Sequence, residues 1–90
     1  TADVNNEFEL YLGRAKLNIM RGQFGKTKED CLQALKRKPA DENTHVVLIR
    51  SRFFVEKWDE ASKYIRDASL VCANSAKLAH LRTQCDEHLA

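Results

Sequence analysis

Apolar residues recur along this chain at three- and four-residue spacing, and strict alternation never persists. The pattern is helical almost throughout. The stretch from Gln23 to Pro39 shows it well, with Phe24, Cys31 and Ala34 on one helical face and the chain's single proline ending it. The same reading along the chain predicts five helices. The first runs from about Asn6 to Met20 and ends near Gly22, a residue suited to a helix C-terminus. The second runs from about Phe24 to Arg37. The third follows Asp41, a good N-cap, and reaches about Val55. The fourth spans about Trp58 to Val71. The fifth follows Asn74 or Ser75, either able to cap it, and reaches His88. Connections this short predict antiparallel helical hairpins.

The pattern also repeats. A shift of 34 residues lays Tyr11 on His45, Leu12 on Val46 and Ala15 on Ile49. The same shift lays Phe24 on Trp58, Cys31 on Ile65 and Ala34 on Ala68. An aromatic residue opens both second helices and an alanine stands late in both. That period, with helix–turn–helix content, is the tetratricopeptide signature.

On these residues the chain resembles the tetratricopeptide repeat (TPR) family over nearly its whole length. In a first repeat, residues 8–41, Ala15, Phe24, Ala34 and Pro39 match the family's small, aromatic, alanine and proline positions. In a second, residues 42–75, Leu48, Trp58, Ala61 and Ala68 fit. Thr27, Ile49 and Ala73 depart from the pattern, where alanine, a small residue and proline are usual. Residues 76–89 look like the solvating helix that closes such arrays. The resemblance implies an all-α fold: two tetratricopeptide hairpins plus a C-terminal capping helix in a short right-handed superhelix. It implies one domain over residues 1–90. Stable arrays usually need about three repeats, so a fragment of a longer array or larger protein is expected.

Within the family, Tyr11, Arg14, Ala15, Asp30 and Cys31 are most similar to the middle repeat of co-chaperone members. There a two-carboxylate clamp grips the acidic tail of a heat-shock chaperone, using Asn in this repeat and Lys and Arg in the next. The corresponding positions here hold Gly13, Asn43 and Val47. Glycine and valine supply no charge-assisted hydrogen bond to a carboxylate. The resemblance also implies a concave face formed by the first helix of each repeat. Its residues here are Leu12, Lys16, Ile19 and Met20, then Asn43, Val46, Val47, Arg50, Phe53 and Phe54, with His80 and Leu81 extending the row. Such a trough suits a protein or peptide segment with apolar anchors and an acidic residue. Phe53, Phe54, Met20 and Val47 are the expected anchors, and Lys16 and Arg50 the groups that orient an acid. The competing reading places Phe53, Phe54 and Ile19 in the core.

Composition adds few constraints. Ninety residues make one small domain, whose core is marginal when it stands alone. The net charge of +2 does not point to nucleic acid, and no apolar run approaches a membrane span. No secretory leader is visible at the first residues. The cysteines, Cys31, Cys72 and Cys85, are odd in number and widely spaced, which favours free thiols in a reducing compartment, the cytoplasm or nucleus. Lys36, Arg37 and Lys38 form a basic run in the last turn of a helix, where cations oppose the dipole. Cys85 and His88 share a helix face, but a structural zinc site needs about four ligands, and the pair is expected to be a surface polar tail. His45 is expected to pack in the helix seam. No phosphate loop or nucleophile elbow is present, so no enzyme activity, cofactor or metal is expected. The expected function is a non-enzymatic protein–protein interaction module, a scaffold or adaptor inside a larger complex. The alternatives are a co-chaperone reading acidic chaperone tails and a structural array packing by its ends.

Overall fold

The computed structural model describes residues 2–89, with side chains from Asn5 to Leu89. It contains helices α1 (Ala2–Met20), α2 (Phe24–Arg37), α3 (Glu42–Phe54), α4 (Trp58–Val71) and α5 (Ala76–Leu89). There is no strand among the described residues. The expected helices are all present, although α1 begins at Ala2, four residues ahead of the reading from pattern. No described helix is long and apolar enough to cross a membrane.

The helix ends have local causes. α1 stops because Gly22 takes a left-handed conformation, φ 76°. That lets Gln23 N–H donate to Asn18 C=O at 2.8 Å and Gly22 N–H to Ile19 C=O at 3.2 Å, the paired bonds of a Schellman terminus. The end of α3 has the same pairing, Lys57 to Arg52 at 2.9 Å and Glu56 to Phe53 at 3.0 Å. Here the left-handed residue is Glu56, φ 59°, a position most side chains avoid. Asp41 caps α3 by accepting from Thr44 N–H at 3.0 Å and from its hydroxyl at 2.7 Å. Of the two candidate caps of α5, Ser75 is the one used: its hydroxyl accepts from Leu78 N–H at 3.2 Å.

Helices α1, α3 and α5 lie side by side. Helix α2 packs between α1 and α3, and α4 between α3 and α5. The Cα trace measures 44 × 29 × 16 Å, two helix layers thick. Ala15 is fully buried, and its missing bulk lets α1 and α2 approach. Positions 34 apart are buried alike: Thr27 and Ala61, Cys31 and Ile65, Ala34 and Ala68 all expose 2% or less. Thr27 fits an alanine-like slot because its hydroxyl donates to Gln23 C=O at 2.9 Å. His45 lies in the seam, its Nε2–H donating to Pro39 C=O at 2.7 Å.

The core falls into two clusters. The larger joins Val46, Ile49, Ala61, Ile65, Ala68, Leu78, Leu81 and Cys85 across α3, α4 and α5. The smaller joins Ala15, Cys31 and Leu48 across α1, α2 and α3. Burying one side chain the size of Ile65 contributes roughly 1.5–3 kcal/mol, so the C-terminal cluster carries most of the apolar stabilisation.

Candidate partner-binding trough

Helical spacing puts Asn43, Val46, Arg50 and Phe53 on one face of α3, turned away from α2 and toward α5. The first turn and a half of α5 lies alongside. Between them is a recess of about 270 Å³ lined by Val46, Arg50, Ala76, Lys77, His80 and Leu81. Val46 and Leu81, 7% and 2% exposed, form its floor and belong to the larger core cluster. Arg50, Lys77 and His80 are exposed around it. Lys77 Nζ lies 3.4 Å from Asn43 Oδ1 and 3.8 Å from Glu42 Oε1. Arg50 makes no ion pair among the described residues. The recess thus offers an apolar floor under cationic and hydrogen-bonding groups.

The other expected trough residues are placed differently. Phe53 is half-buried against Trp58, ring centroids 5.0 Å apart, and packs on the larger cluster. Phe54 is 62% exposed but stacks flat on Phe24 at 4.9 Å, toward the α1–α2 turn. Val47 packs on the Ala15–Cys31–Leu48 cluster. On α1, Leu12 and Ile19 are half-buried, while Lys16 and Met20 are exposed. None of these four lines the recess. The structure therefore brings Val46 and Arg50 together with α5 and leaves the α1 residues outside that site.

Tyr11, Arg14, Ala15, Asp30 and Cys31 form the α1–α2 seam. Asn18 Nδ2 donates to the buried Asp30 carboxylate at 2.9 Å, and Arg14 approaches its other oxygen at 3.5 Å. Tyr11 lies between Arg14 and Arg37, 5.7 and 4.7 Å from its ring centroid. The basic run does more than oppose a dipole. Arg37 pairs with Glu7 at 2.6 Å, and Lys38 Nζ sits 4.5 Å above the Phe8 ring. Both contacts tie the end of α2 to α1.

The Cys85–His88 expectation is corrected. Cys85 is 1% exposed because it continues the apolar stripe of Leu78 and Leu81, and its thiol donates to Trp58 C=O at 3.4 Å. His88 stacks on Trp58 at 3.7 Å with the planes 4° apart. No cluster of three metal-ligating side chains occurs among the described residues. All three cysteines are unpaired. Burial pushes the Cys31 thiol up to about 12, with the nearby Asp30 charge adding to it. Burial also raises Cys72 and Cys85, each with two neighbouring carboxylates acting in the same direction. The thiols stay protonated at neutral pH and are poor nucleophiles.

Two important residues escape sequence reasoning. Arg52 is 3% exposed; its guanidinium donates to Phe24 C=O at 2.9 Å and lies 3.8 Å from Glu60. Nothing in the pattern around Arg52 announces a buried charge. Lys77 could have been found, because the shift that lays Phe24 on Trp58 lays Lys77 on Asn43, its contact in the structure.

No protein-family model, curated protein or solved structure matches this chain.

Proposed function

We propose that the chain is a tetratricopeptide-type pair of hairpins with a capping helix, acting as a non-enzymatic interaction module. Its partner is a protein segment that lays an aliphatic side chain on Val46 and Leu81 and an acidic group among Arg50, Lys77 and His80. The observation that carries this reading is the α3–α5 recess, where an apolar floor and three cation-bearing or imidazole groups converge. Apolar contact supplies affinity, while the surface cations supply orientation and encounter rate. The two successive helical hairpins, with buried positions recurring 34 apart, support the repeat assignment. The unpaired thiols support a reducing compartment, the cytoplasm or nucleus.

A selection from a random peptide library on the full chain tests this. The reading predicts enrichment of an aliphatic residue beside Asp or Glu. It predicts that Arg50→Glu with Lys77→Glu lowers affinity for selected peptides by about tenfold or more. Recovery of basic peptides, or unchanged binding by the double variant, contradicts it.

A second reading, packing within an assembly, has an observation of its own. Leu10 and Leu17 on α1 expose 57% and 51% of their surface and do not line the recess.

A further inference from the structure

Helix α1 carries an apolar stripe that no described element covers. Leu10, Gly13 and Leu17 stand at i, i+3 and i+7, the spacing of one helix face. Leu10 and Leu17 are more than half exposed, although Ala15 on the opposite face is fully buried. Gly13 lies midway between the leucines. A Cβ added there would find no atom within 4 Å.

The charges beside the stripe have a definite order. Glu9 lies at its N-terminal end and Lys16 at its C-terminal end, on the same flank. Neither makes an ion pair among the described residues. The helix dipole alone would account for acid first and base last. It does not account for two exposed leucines spaced evenly about a glycine.

We propose that this face pairs with a second copy of the chain, α1 against α1, antiparallel and crossing at Gly13. A two-fold axis near Gly13 sets Leu10 of one copy against Leu17 of the other, twice over. The missing side chains at the crossing let the two backbones approach closely. The same axis brings Glu9 of each copy to Lys16 of the other on one flank. Arg14 comes near its own counterpart on the opposite flank. Its guanidinium is drawn back over Tyr11 and toward Asp30, which reduces that repulsion. The order of charge favours an antiparallel second copy: a parallel copy would set Glu9 near Arg14, which is already drawn toward Asp30, but would also set Lys16 against Arg21, and an acidic partner helix would leave Glu9 opposed to like charge. The α3–α5 recess lies outside this interface and stays open in the dimer.

Sedimentation of the full chain from about 1 µM to about 1 mM tests the proposal. A dimer is expected at the upper end. Leu17→Glu and Gly13→Leu should each give a monomer with unchanged helical circular dichroism; the glycine change adds bulk only to open space. Glu9→Lys and Lys16→Glu should each weaken association about tenfold. The doubly exchanged chain should recover it, because each copy still offers one acid and one base. A monomer at every concentration overturns the proposal. So does a dimer that survives Leu17→Glu or Gly13→Leu, or a double exchange that fails to recover.

Discussion

The two hairpins are built to one plan and held by different forces. In α3–α4, together with α5, eight buried side chains form a continuous apolar cluster. In α1–α2 the buried apolar cluster among the described residues is smaller, Ala15 and Cys31 with Leu48 from α3. Phe8 and Ala34 are buried as well, and polar contacts add to them: the Asn18–Asp30–Arg14 group, the Arg37–Glu7 pair, and cations over Tyr11 and Phe8. Apolar burial resists salt, whereas exposed ion pairs are screened and contribute little each. Equal spacing of buried positions therefore does not mean equal stability. The N-terminal hairpin should open first, and no described element covers Leu10 and Leu17 on its α1.

The largest expected effect lies in the C-terminal cluster. Ile65→Ala leaves a cavity at a 2%-exposed site and should cost about 2–4 kcal/mol in urea unfolding. Arg52→Met should cost about 2 kcal/mol, because it strips a buried bond from Phe24 C=O. A cost under about 0.5 kcal/mol would mean that Arg52 does not couple the two hairpins. Asp30→Ala should cost about 1–2 kcal/mol and appear in hydrogen exchange as faster opening of α1 and α2 than of α4 and α5. Glu56→Gly should stabilise by about 0.5–1 kcal/mol, since it relieves the left-handed residue that closes α3.

The smallest effect is the pH response of the link between hairpins. Lys28 donates to Glu60 at 2.8 Å. That bond, and then the charges of Lys28, Arg52 and Lys57, hold the Glu60 carboxyl below the usual range despite some burial. The same bond, with the charges of Tyr64 and Glu60, holds Lys28 above its usual value. The Glu60 contribution is fully present above the ordinary glutamate pKa of about 4.3 and is lost as pH falls through its lowered folded value. The Lys28 contribution is present below about 10.4 and is lost as pH rises through its raised folded value. Both groups are about one-third exposed, so each limb should measure under about 1 kcal/mol. Lys28→Met should flatten both limbs of the stability profile.

Much of this fold was legible in the sequence because helical periodicity and turn residues are local signals. Phe24 and Trp58 open α2 and α4 where the pattern places them, and Asp41 caps α3. Other features depend on groups distant in the chain. Glu56 stands where Gly22 stands in the first hairpin, so its left-handed turn carried no glycine to mark it. Lys38 reaches Phe8 and Arg37 reaches Glu7 across the hairpin, so a short basic run read as a dipole partner turned out to be a clasp. At the trough, the resemblance to tetratricopeptide repeats implied that Val46 and Arg50 share an open face. It did not foresee that Phe53 and Phe54 would each find an aromatic neighbour, or that Lys77 would come over from α5.

The most direct test of the interaction-module reading is a nitrogen-15 NMR titration with a library-selected acidic–aliphatic peptide. The account predicts saturable shifts concentrated at Val46, Arg50, Lys77, His80 and Leu81, reduced by Arg50→Glu. Shifts confined to other surfaces, or none at saturating peptide, would contradict it.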